Sequence, residues 1–175
     1  MSRTGMSGAQ DLRLTTPRTL IDPICESDLP AIHAIVTEPG TARMLMRFHP
    51  GQSVADIARM LAVDITPHSR PLRLAVRFGG RCIGTIGVGA GATPDIFYGL
   101  ASGMRGMGIG SEILPPFCAA MRSRFGLTTL RAMVFCDNPA SRHVLEKAGF
   151  RVTGTRLMIS AARPAPAEGW VMQAD

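Results

Sequence analysis

The sequence predicts a mixed α/β protein with a single, mostly antiparallel sheet flanked by helices. Strand-like and helix-like segments follow in the order β, α, α, β, β, β, α, β, α, β, β, with three strands in direct succession near the middle. Strict alternation of strands and helices is missing, which argues against a doubly wound nucleotide-binding fold. A length of 175 residues is enough for one domain with a substantial core.

The first third of the chain is predicted to contain a strand and two helices. Residues 1–16 are predicted to be a loosely ordered tail, and residues 17–175 to form the domain. Arg18–Ile24 has the composition of a strand. Ser27 and Ser53 each precede apolar residues at helical spacing, so each is predicted to cap a helix.

The middle of the chain is predicted to form an antiparallel meander. Leu72–Phe78 and Arg81–Val88 have strand patterns, and the Gly79-Gly80 pair between them is typical of a two-residue hairpin turn. A third strand, Asp95–Ala101, follows a Gly-rich loop. Connections this short join antiparallel neighbours, whereas parallel strands need a longer crossover.

The last third is predicted to alternate between helices and strands. A helix is expected over Ser111–Arg124, although Pro115-Pro116 should kink it or confine its regular part to one side. Leu127–Cys136 alternates as a strand, and a further helix begins at Asp137. Two closing strands are predicted over residues 150–159 and 170–173.

Composition and charge restrict the function classes. The net charge of +6 comes from eighteen arginines and one lysine spread along the chain, and 5% of the residues are aromatic. This dispersion favours anions in general over a nucleic-acid surface, so no direct nucleic-acid partner is expected. No run of about 18 apolar residues and no secretion signal is found, so neither a membrane span nor export is expected.

The four cysteines indicate neither disulfides nor a metal site. Cys25, Cys82, Cys118 and Cys136 lie far apart, without a CxxC pair or clustered histidines. A reducing, cytoplasmic location fits this pattern. Cys136, close to Asn138, is a candidate reactive thiol, although nothing visible in the sequence lowers its pKa.

Two Gly-rich segments are candidates for a phosphate-binding loop. Gly87–Ala92 matches a dinucleotide fingerprint, but Thr93-Pro94 and an apolar strand follow it instead of a helix. Arg105–Gly110 lies between a predicted strand and a predicted helix, where free N–H groups and the helix dipole form an anion site. Arg105 can add charge-assisted hydrogen bonds. The sequence therefore predicts a phosphorylated ligand at Arg105–Gly110.

A second motif narrows the identity of that ligand. Residues 137–150 read DNPASRHVLEKAGF. This segment resembles the NxxSxxxLEKxGF motif of GNAT-type N-acetyltransferases, specifically the Rim-like subgroup that includes ribosomal-protein alanine acetyltransferases. Arg105–Gly110 matches the acetyl-CoA pyrophosphate loop of that superfamily, and the resemblance covers nearly the whole chain. It implies the GNAT fold, acetyl-CoA as co-substrate without a metal, and direct transfer of acetyl to a primary amine.

The resemblance also implies roles for individual residues. The loop backbone is expected to hold the pyrophosphate, and the backbone at the end of the preceding strand to bind the pantetheine arm and polarise the thioester carbonyl. Asn138 is expected to bind the cofactor arm, and the Ser141 hydroxyl to lie beside the departing thiolate. The expected cofactor-binding residues are Leu100, Ala101, Arg105, Gly106, Met107, Gly108, Ile109, Gly110, Ser111 and Asn138, and the expected catalytic groups are Ser141 and the backbone of Leu100.

The proton donor and the general base are the open points of this scheme. The wider superfamily often has a tyrosine four residues after the Ser141 position, where this chain has Leu145. Ser141 remains the candidate donor, with helix capping by Asn138 and Ser141 as the alternative role. The candidate bases, which no motif distinguishes, are Asp95, Glu38, His33, His49 and a water relay.

The acceptor is expected to be an amine of a small molecule or of a protein N-terminus. An α-amine, with a pKa of about 7.7 to 8.0, is partly neutral near pH 7, unlike a lysine amine at about 10.4. An aminoglycoside or a polyamine should require an acidic cleft, which thirteen scattered acids do not predict. A catalytically silent acyl-CoA-binding module is a further alternative. The oligomeric state is left open between monomer and homodimer.

Overall fold

The computed structural model describes residues 12–64 and 68–175. The strands in these ranges are β1 (Leu14–Thr15), β2 (Thr19–Pro23), β3 (Leu72–Phe78), β4 (Arg81–Val88), β5 (Ile96–Leu100), β6 (Leu130–Phe135), β7 (Arg151–Met158) and β8 (Ala167–Ala174). The helices are α1 (Leu29–Val36), α2 (Pro39–Ala42), α3 (Val54–Leu61), α4 (Ile109–Phe125) and α5 (Pro139–Lys147). The mixed α/β class is the predicted one, and β1 and the one-turn helix α2 are additional to the predicted elements.

The strands form two sheets where the sequence predicts one. The first sheet is antiparallel with the order β1-β2-β3-β4-β5, and the second is antiparallel with the order β6-β8-β7. A parallel bridge between Asp95 and Arg131 links them, and the Arg131 N–H donates to the carbonyl of Pro94 at 2.9 Å. Beyond this bridge no ladder between β5 and β6 continues in the described part of the chain. The two strands therefore begin together and then separate, which leaves an open edge on β5.

Helices pack on both faces of the five-stranded sheet, as predicted. The larger core includes Phe117 of α4 and Leu145 of α5, whereas α1 and α3 contribute to a second, smaller core. Along β4, Ile83 belongs to the first core and Cys82 packs against the second, in keeping with the alternation of side chains along a strand. The sheet thus separates the α4 and α5 side of the molecule from the α1 and α3 side.

The two predicted helix caps have different outcomes. Ser53 caps α3 as predicted, because its hydroxyl accepts a hydrogen bond from the N–H of Asp56 at 3.2 Å. The prediction that Ser27 caps the first helix is wrong. The chain enters α1 through a 3₁₀ turn in which the Asp28 carboxylate accepts a hydrogen bond from the N–H of Cys25 at 2.9 Å. Among the described residues no side chain caps α1 itself: the buried Asp28 carboxylate fixes the preceding turn, and the Ser27 side chain is exposed.

Part of the predicted tail belongs to the folded structure. Leu12 and Leu14 pack against the larger core, and β1 pairs with β2. The remainder of the predicted tail, residues 1–11, lies outside the described residues. A strand of two residues is too short to produce a recognisable hydrophobic period, so the sequence pattern does not reveal it.

Helix α4 continues through its two prolines. It extends from Ile109 to Phe125 with Pro115 and Pro116 in its interior. Of the two expected outcomes, confinement of the regular part to one side of the prolines is therefore wrong, and a kink stays a prediction. Both prolines lie on the less buried side of the helix, and the opposite side packs into the core through residues such as Phe117. Packing of the apolar side outweighs the lost backbone donors and keeps the start of α4 next to the Gly-rich loop.

Candidate active site

The predicted phosphate loop joins β5 to α4. It begins with a 3₁₀ turn, Ser102–Met104, and continues through Arg105, which is exposed. Gly106 and Gly108 have φ angles of 75° and 74°, a left-handed conformation that other residues rarely adopt. The N–H of Met107 donates to the carbonyl of Met104 at 3.3 Å and is therefore already engaged. The loop conformation thus depends on two of its glycines.

The start of α4 presents free backbone donors. Its first hydrogen bond runs from the N–H of Glu112 to the carbonyl of Gly108 at 3.1 Å. The N–H groups of Ile109, Gly110 and Ser111 precede this bond and have no acceptor within the helix. Together with the positive end of the helix dipole, they form the kind of site that binds a phosphate or pyrophosphate.

Gly110 brings the starts of α4 and α5 close together. A Cβ atom at this position would lie 3.1 Å from a methyl group of Val144 and 3.9 Å from Cε2 of Tyr98. Its φ angle is not in the left-handed region, so its role is close packing and not turn geometry. The donors of the phosphate loop and the first turn of α5 therefore lie in adjacent parts of the structure.

Arg18 holds the phosphate loop against the first sheet. Its guanidinium donates to the carbonyl of Met107 at 2.8 Å and to the carboxylate of Glu112 at 2.6 Å. Glu112 also accepts hydrogen bonds from the Thr16 hydroxyl and from the Arg18 N–H. Burial tends to raise the pKa of Glu112, but these bonds outweigh it and hold the pKa below its usual value. No sequence motif marks Arg18, because its partners are 89 and 94 residues away.

The end of β5 offers one of the two backbone donors that were expected there. The N–H of Ala101 donates to the carbonyl of Ile83 at 2.8 Å, so it is engaged within the sheet. Leu100 pairs with Gly84 at the next position. In an antiparallel ladder, alternate residues direct their N–H and C=O groups to opposite edges, so those of Leu100 point away from β4. The N–H and C=O of Leu100 are therefore available to an extended ligand, as expected, whereas the N–H of Ala101 is not.

The start of α5 brings together Asn138, Ser141 and Tyr98, which no sequence motif marks. The Asn138 side chain caps the helix by accepting a hydrogen bond from the Ser141 N–H at 3.2 Å. The Ser141 hydroxyl lies 2.8 Å from the hydroxyl of Tyr98 on β5. Leu145 is 1% exposed and belongs to the larger core. The Asn138 side chain therefore caps the helix through the Ser141 N–H, whereas the Ser141 hydroxyl takes no part in the cap and contacts Tyr98.

Two carboxylates among the candidate bases are already committed to other partners. Asp95 forms a bidentate ion pair with Arg131, at 2.7 and 3.0 Å. The pair lies at the bridge where β5 and β6 are still adjacent, before the two strands separate. Glu38 accepts hydrogen bonds from the N–H groups of Gly40 and Thr41 and from the Thr41 hydroxyl. These bonds hold the pKa of Glu38 below its usual range, which makes it a weaker base.

The two candidate histidines have structural contacts. Nε2 of His33 lies 2.8 Å from the carbonyl oxygen of Gln52 and ties α1 to the turn that precedes α3. Nδ1 of His49 accepts a hydrogen bond from the N–H of Gly51 at 3.2 Å. His49 and Gln52 line a cavity of about 470 Å³ at the start of α3. Because the Gln52 carbonyl can only accept, Nε2 of His33 donates and its Nδ1 keeps a lone pair, so His33 stays a candidate base beside the water relay.

Two further sequence features can be assigned. Gly87 lies within β4, where a Cβ atom would come 2.2 Å from the ring of Phe97, so the Gly87–Ala92 segment serves close strand packing and a turn before β5. Burial and the nearby Glu168 carboxylate raise the pKa of the Cys136 thiol. Cys136 is therefore less reactive than an unperturbed cysteine. All four cysteines are unpaired.

A group of arginines lies on the other side of the α5 start. Arg163, in the connection between β7 and β8, pairs with Asp137 at 2.7 and 3.0 Å and donates to the carbonyl of Arg43 at 2.8 Å. Arg43 pairs with Asp137 at 3.0 Å. Both arginines line a cavity of about 530 Å³, together with Pro39 and Pro164. Because Asp137 directly precedes the helix cap of α5, this cavity lies beside the predicted site.

Comparison with known protein families identifies this arrangement. The family model described as "Acetyltransferase (GNAT) domain" matches residues 18–151. The chain belongs to the GNAT acetyltransferase family. The match includes β2, the phosphate loop, α4 and α5, and the family assignment makes the chain an N-acetyltransferase. A comparison with curated proteins found no match.

Solved structures of other GNAT proteins share the fold. The ribosomal-protein α-N-acetyltransferase RimL, solved with coenzyme A, has a TM-score of 0.81 and 17% identity over 93% of this chain and 97% of its own. A spermidine N-acetyltransferase from Vibrio cholerae, solved with CoA and spermine, has a TM-score of 0.77 and 15% identity over 89% and 94% of the two chains. A GNAT acetyltransferase from Bacillus anthracis has a TM-score of 0.77 and 16% identity over 93% and 97%. Agreement at these identities establishes the fold.

Neither a metal site nor a membrane-crossing helix is found in the described part of the chain. Among residues 12–64 and 68–175, no group of three or more histidine, cysteine, aspartate or glutamate side chains is arranged to hold a metal ion. In the same ranges, no helix of this GNAT protein combines the length and the apolar character that a bilayer crossing requires.

Proposed function

We propose that this GNAT protein transfers acetyl from acetyl-CoA directly to a primary amine, with a protein N-terminal α-amine as the favoured acceptor. The observation that carries the proposal is the convergence of three features: the donors at the start of α4, the outward-facing backbone of Leu100, and the Ser141 hydroxyl at the start of α5. The presence of CoA in related structures is consistent with this choice of co-substrate.

The phosphate loop supports acetyl-CoA binding on physical grounds. A pyrophosphate carries two negative charges, and the loop offers free N–H groups at Ile109, Gly110 and Ser111 together with the exposed guanidinium of Arg105. The edge of β5 at Leu100 offers a donor and an acceptor to an amide-containing arm. Bound acetyl-CoA would supply the thioester, whose carbonyl carbon is attacked by the amine.

Ser141 is the proposed proton donor to the departing sulfur. Its N–H is satisfied by Asn138, so the hydroxyl is free of the capping role, and Leu145 offers no acidic hydrogen in its place. A serine at this position of the α5 motif is the basis for proposing a Rim-like subgroup. The four free cysteines are consistent with a reducing compartment, and we propose a cytoplasmic location.

The charges near the site favour an α-amine over a polycation. Three of the nearby carboxylates already have partners: Glu38 caps α2, Asp95 pairs with Arg131, and Asp137 pairs with two arginines. A polyamine or an aminoglycoside would therefore meet compensated acids beside cationic guanidiniums, which is unfavourable. An α-amine is partly neutral near pH 7, so a water relay suffices to remove its proton.

One assay tests the proposal and its rivals. Purified protein would be incubated with acetyl-CoA and, in parallel, with peptides bearing free N-termini, an N-terminally blocked lysine peptide, spermidine and an aminoglycoside, while thiol release is followed. We expect release with the free N-termini. Thiol release with spermidine or the aminoglycoside, and with none of the peptides, would show that the acceptor is a polycation and not a protein N-terminus. Binding of acetyl-CoA without release on any amine would instead identify a silent acyl-CoA-binding module.

The role of Ser141 is tested in the same assay. Ser141→Ala should lower kcat by about a hundredfold, the low end for loss of a general acid, while the Kd of acetyl-CoA stays within about twofold. Ser123→Ala, an exposed serine near the far end of α4, is the matched control and should keep full activity. An unchanged kcat in Ser141→Ala would remove Ser141 from the mechanism.

A further inference from the structure

Tyr98 connects the sheet to the proposed proton donor. Its hydroxyl oxygen lies 2.8 Å from Oγ of Ser141, across 43 residues of sequence, and joins β5 to the first turn of α5. The ring packs against the larger core close to Gly110, which leaves room for it at the start of α4. The tyrosine is therefore held by three elements that surround the predicted site, and its hydroxyl reaches the one side chain for which a proton-transfer role is proposed.

The direction of this hydrogen bond decides what Tyr98 does. If Ser141 donates to Tyr98, the serine hydrogen is occupied and the bond merely ties α5 to β5. If Tyr98 donates to Ser141, the serine hydrogen is free to point elsewhere, and negative charge that develops on Oγ is stabilised by the phenolic O–H. Burial raises the pKa of Tyr98 above its ordinary value of 10.0, so the phenol keeps its hydrogen at neutral pH and remains able to donate.

We propose that Tyr98 is a positioning residue that donates its phenolic hydrogen to Ser141 Oγ and thereby directs the Ser141 hydrogen to the departing thiolate. This inference rests on the proposed acetyl transfer. In that step the amine nitrogen bonds to the thioester carbonyl carbon, and the carbon–sulfur bond breaks with its electron pair on sulfur. Sulfur takes the Ser141 proton, the amine loses a proton to water, and water returns one to Oγ. Tyr98 keeps its own proton throughout.

The chain offers a selective probe, because Tyr98 is its single tyrosine. Biosynthetic replacement of tyrosine by 3-fluorotyrosine changes only this residue and makes the phenol a stronger donor with little change in size. We expect kcat to rise about twofold at a pH where the phenol stays protonated, since proton-transfer efficiency follows donor acidity. A bond that only ties α5 to β5 would leave kcat unchanged.

Substitution provides the second measurement. Tyr98→Phe keeps the ring and removes the hydroxyl, and we expect kcat to fall about fivefold, the equivalent of one hydrogen bond of about 1 kcal/mol, with an unchanged KM for acetyl-CoA. In the Ser141→Ala background the same change should have no further effect on kcat, because Tyr98 acts through Ser141. Equal losses in both backgrounds would overturn the inference. Thermal unfolding of each variant checks that the fold is retained.

The outcomes separate this inference from the proposed function. If the wild-type protein releases no thiol with any amine, the proposed function fails and the inference fails with it. If the wild type is active while Tyr98→Phe and the fluorotyrosine protein both retain the wild-type kcat, the inference alone is overturned.

Discussion

The two sides of the α5 start differ in how they are built. The cofactor side, which comprises the end of β5, the phosphate loop and the first turns of α4 and α5, presents mainly backbone groups and is supported by Arg18 from behind. The other side, which we propose binds the acceptor and call the acceptor side, comprises α2, the following segment to residue 48 and the β7–β8 connection. It is held together by arginine side chains that bind Asp137 and the Arg43 carbonyl. The cofactor side thus depends on backbone conformation, and the acceptor side depends on ion pairs that a single substitution can remove.

This difference indicates which properties can change during evolution without loss of the reaction. Backbone donors stay in place when most side chains are exchanged, so we expect the proposed acetyl-CoA side to tolerate substitution except where a glycine sets the conformation. Ion pairs are altered by single substitutions. The acceptor side can therefore acquire a new specificity while the cofactor side remains constant.

The largest effect is expected from a substitution that distorts the phosphate loop. Gly108→Val forces a β-branched residue into the left-handed region, at a cost of at least 1–2 kcal/mol, and acetyl-CoA affinity should fall by about tenfold or more as the loop relaxes. Titration calorimetry measures the loss. Gly80→Val, at a φ of 76° in an open hairpin turn, is the matched control with similar strain. Equal acetyl-CoA affinity in the two variants would contradict the assignment of the loop.

The support of that loop by Arg18 gives the next effect. Arg18→Met removes the bond to the Met107 carbonyl and leaves the partly buried Glu112 carboxylate without its cation, so acetyl-CoA affinity should fall about fivefold, the equivalent of about 1 kcal/mol. Arg151→Met removes the same charge from an exposed pair with Asp175 and should leave affinity unchanged. Parallel losses in both variants would point to net charge as the cause and would weaken the distinction between the two sides.

A substitution on the acceptor side should separate the two sides kinetically. Arg163→Met removes the pair with Asp137 and the bond to the Arg43 carbonyl, which frees the β7–β8 connection. We expect the acceptor KM to rise about threefold to tenfold, the equivalent of about 1 kcal/mol, while the Kd of acetyl-CoA stays the same. A change in acetyl-CoA binding with a constant acceptor KM would reverse the assignment of the two sides.

The smallest effect concerns acid pH. Hydrogen bonds from Arg163 hold the pKa of Asp137 below its ordinary value of 3.8. A folded-state pKa that is lowered stabilises the protein above the unfolded pKa, and this stabilisation is lost as the pH falls through the folded value. The wild type should therefore be slightly more stable than Asp137→Asn at pH 6, and the two should converge below pH 3.8. Denaturant unfolding at several pH values measures this, and a gap that widens in acid would contradict it.

The elements that the sequence predicted well are each determined by interactions between residues close together in the sequence. The Gly79-Gly80 pair adopts the positive φ angles that its hairpin requires, and the Ser53 hydroxyl caps α3 by accepting from the N–H of Asp56, a neighbour in the sequence. The Gly-rich turn between β5 and α4 belongs to the same class, because its glycines define the turn within a few residues, whereas its binding of a phosphate stays a prediction. Such features depend on neighbours in the sequence and can be recognised without the fold.

The features that the sequence missed depend on distant partners. Arg18 meets the phosphate loop, Tyr98 meets Ser141, and Arg163 meets Arg43 only because the sheet brings separate parts of the chain together. The candidate bases illustrate the reverse case. Asp95 and Glu38 have suitable chemistry in the sequence, but the structure commits one to an ion pair and the other to a helix cap.

The sequence by itself determined the fold class, the position of the Gly-rich turn before α4 and the family motif at Asn138 and Ser141, because each depends on periodicity or on residue types at short spacing. The tertiary structure decided that one predicted sheet becomes two, which backbone donors remain free, and which side chains surround Ser141. The two sheets and the outward-facing backbone of Leu100 arise from the separation of β5 from β6 after a single bridge, and the surroundings of Ser141 arise from contacts between distant residues; no local pattern encodes either.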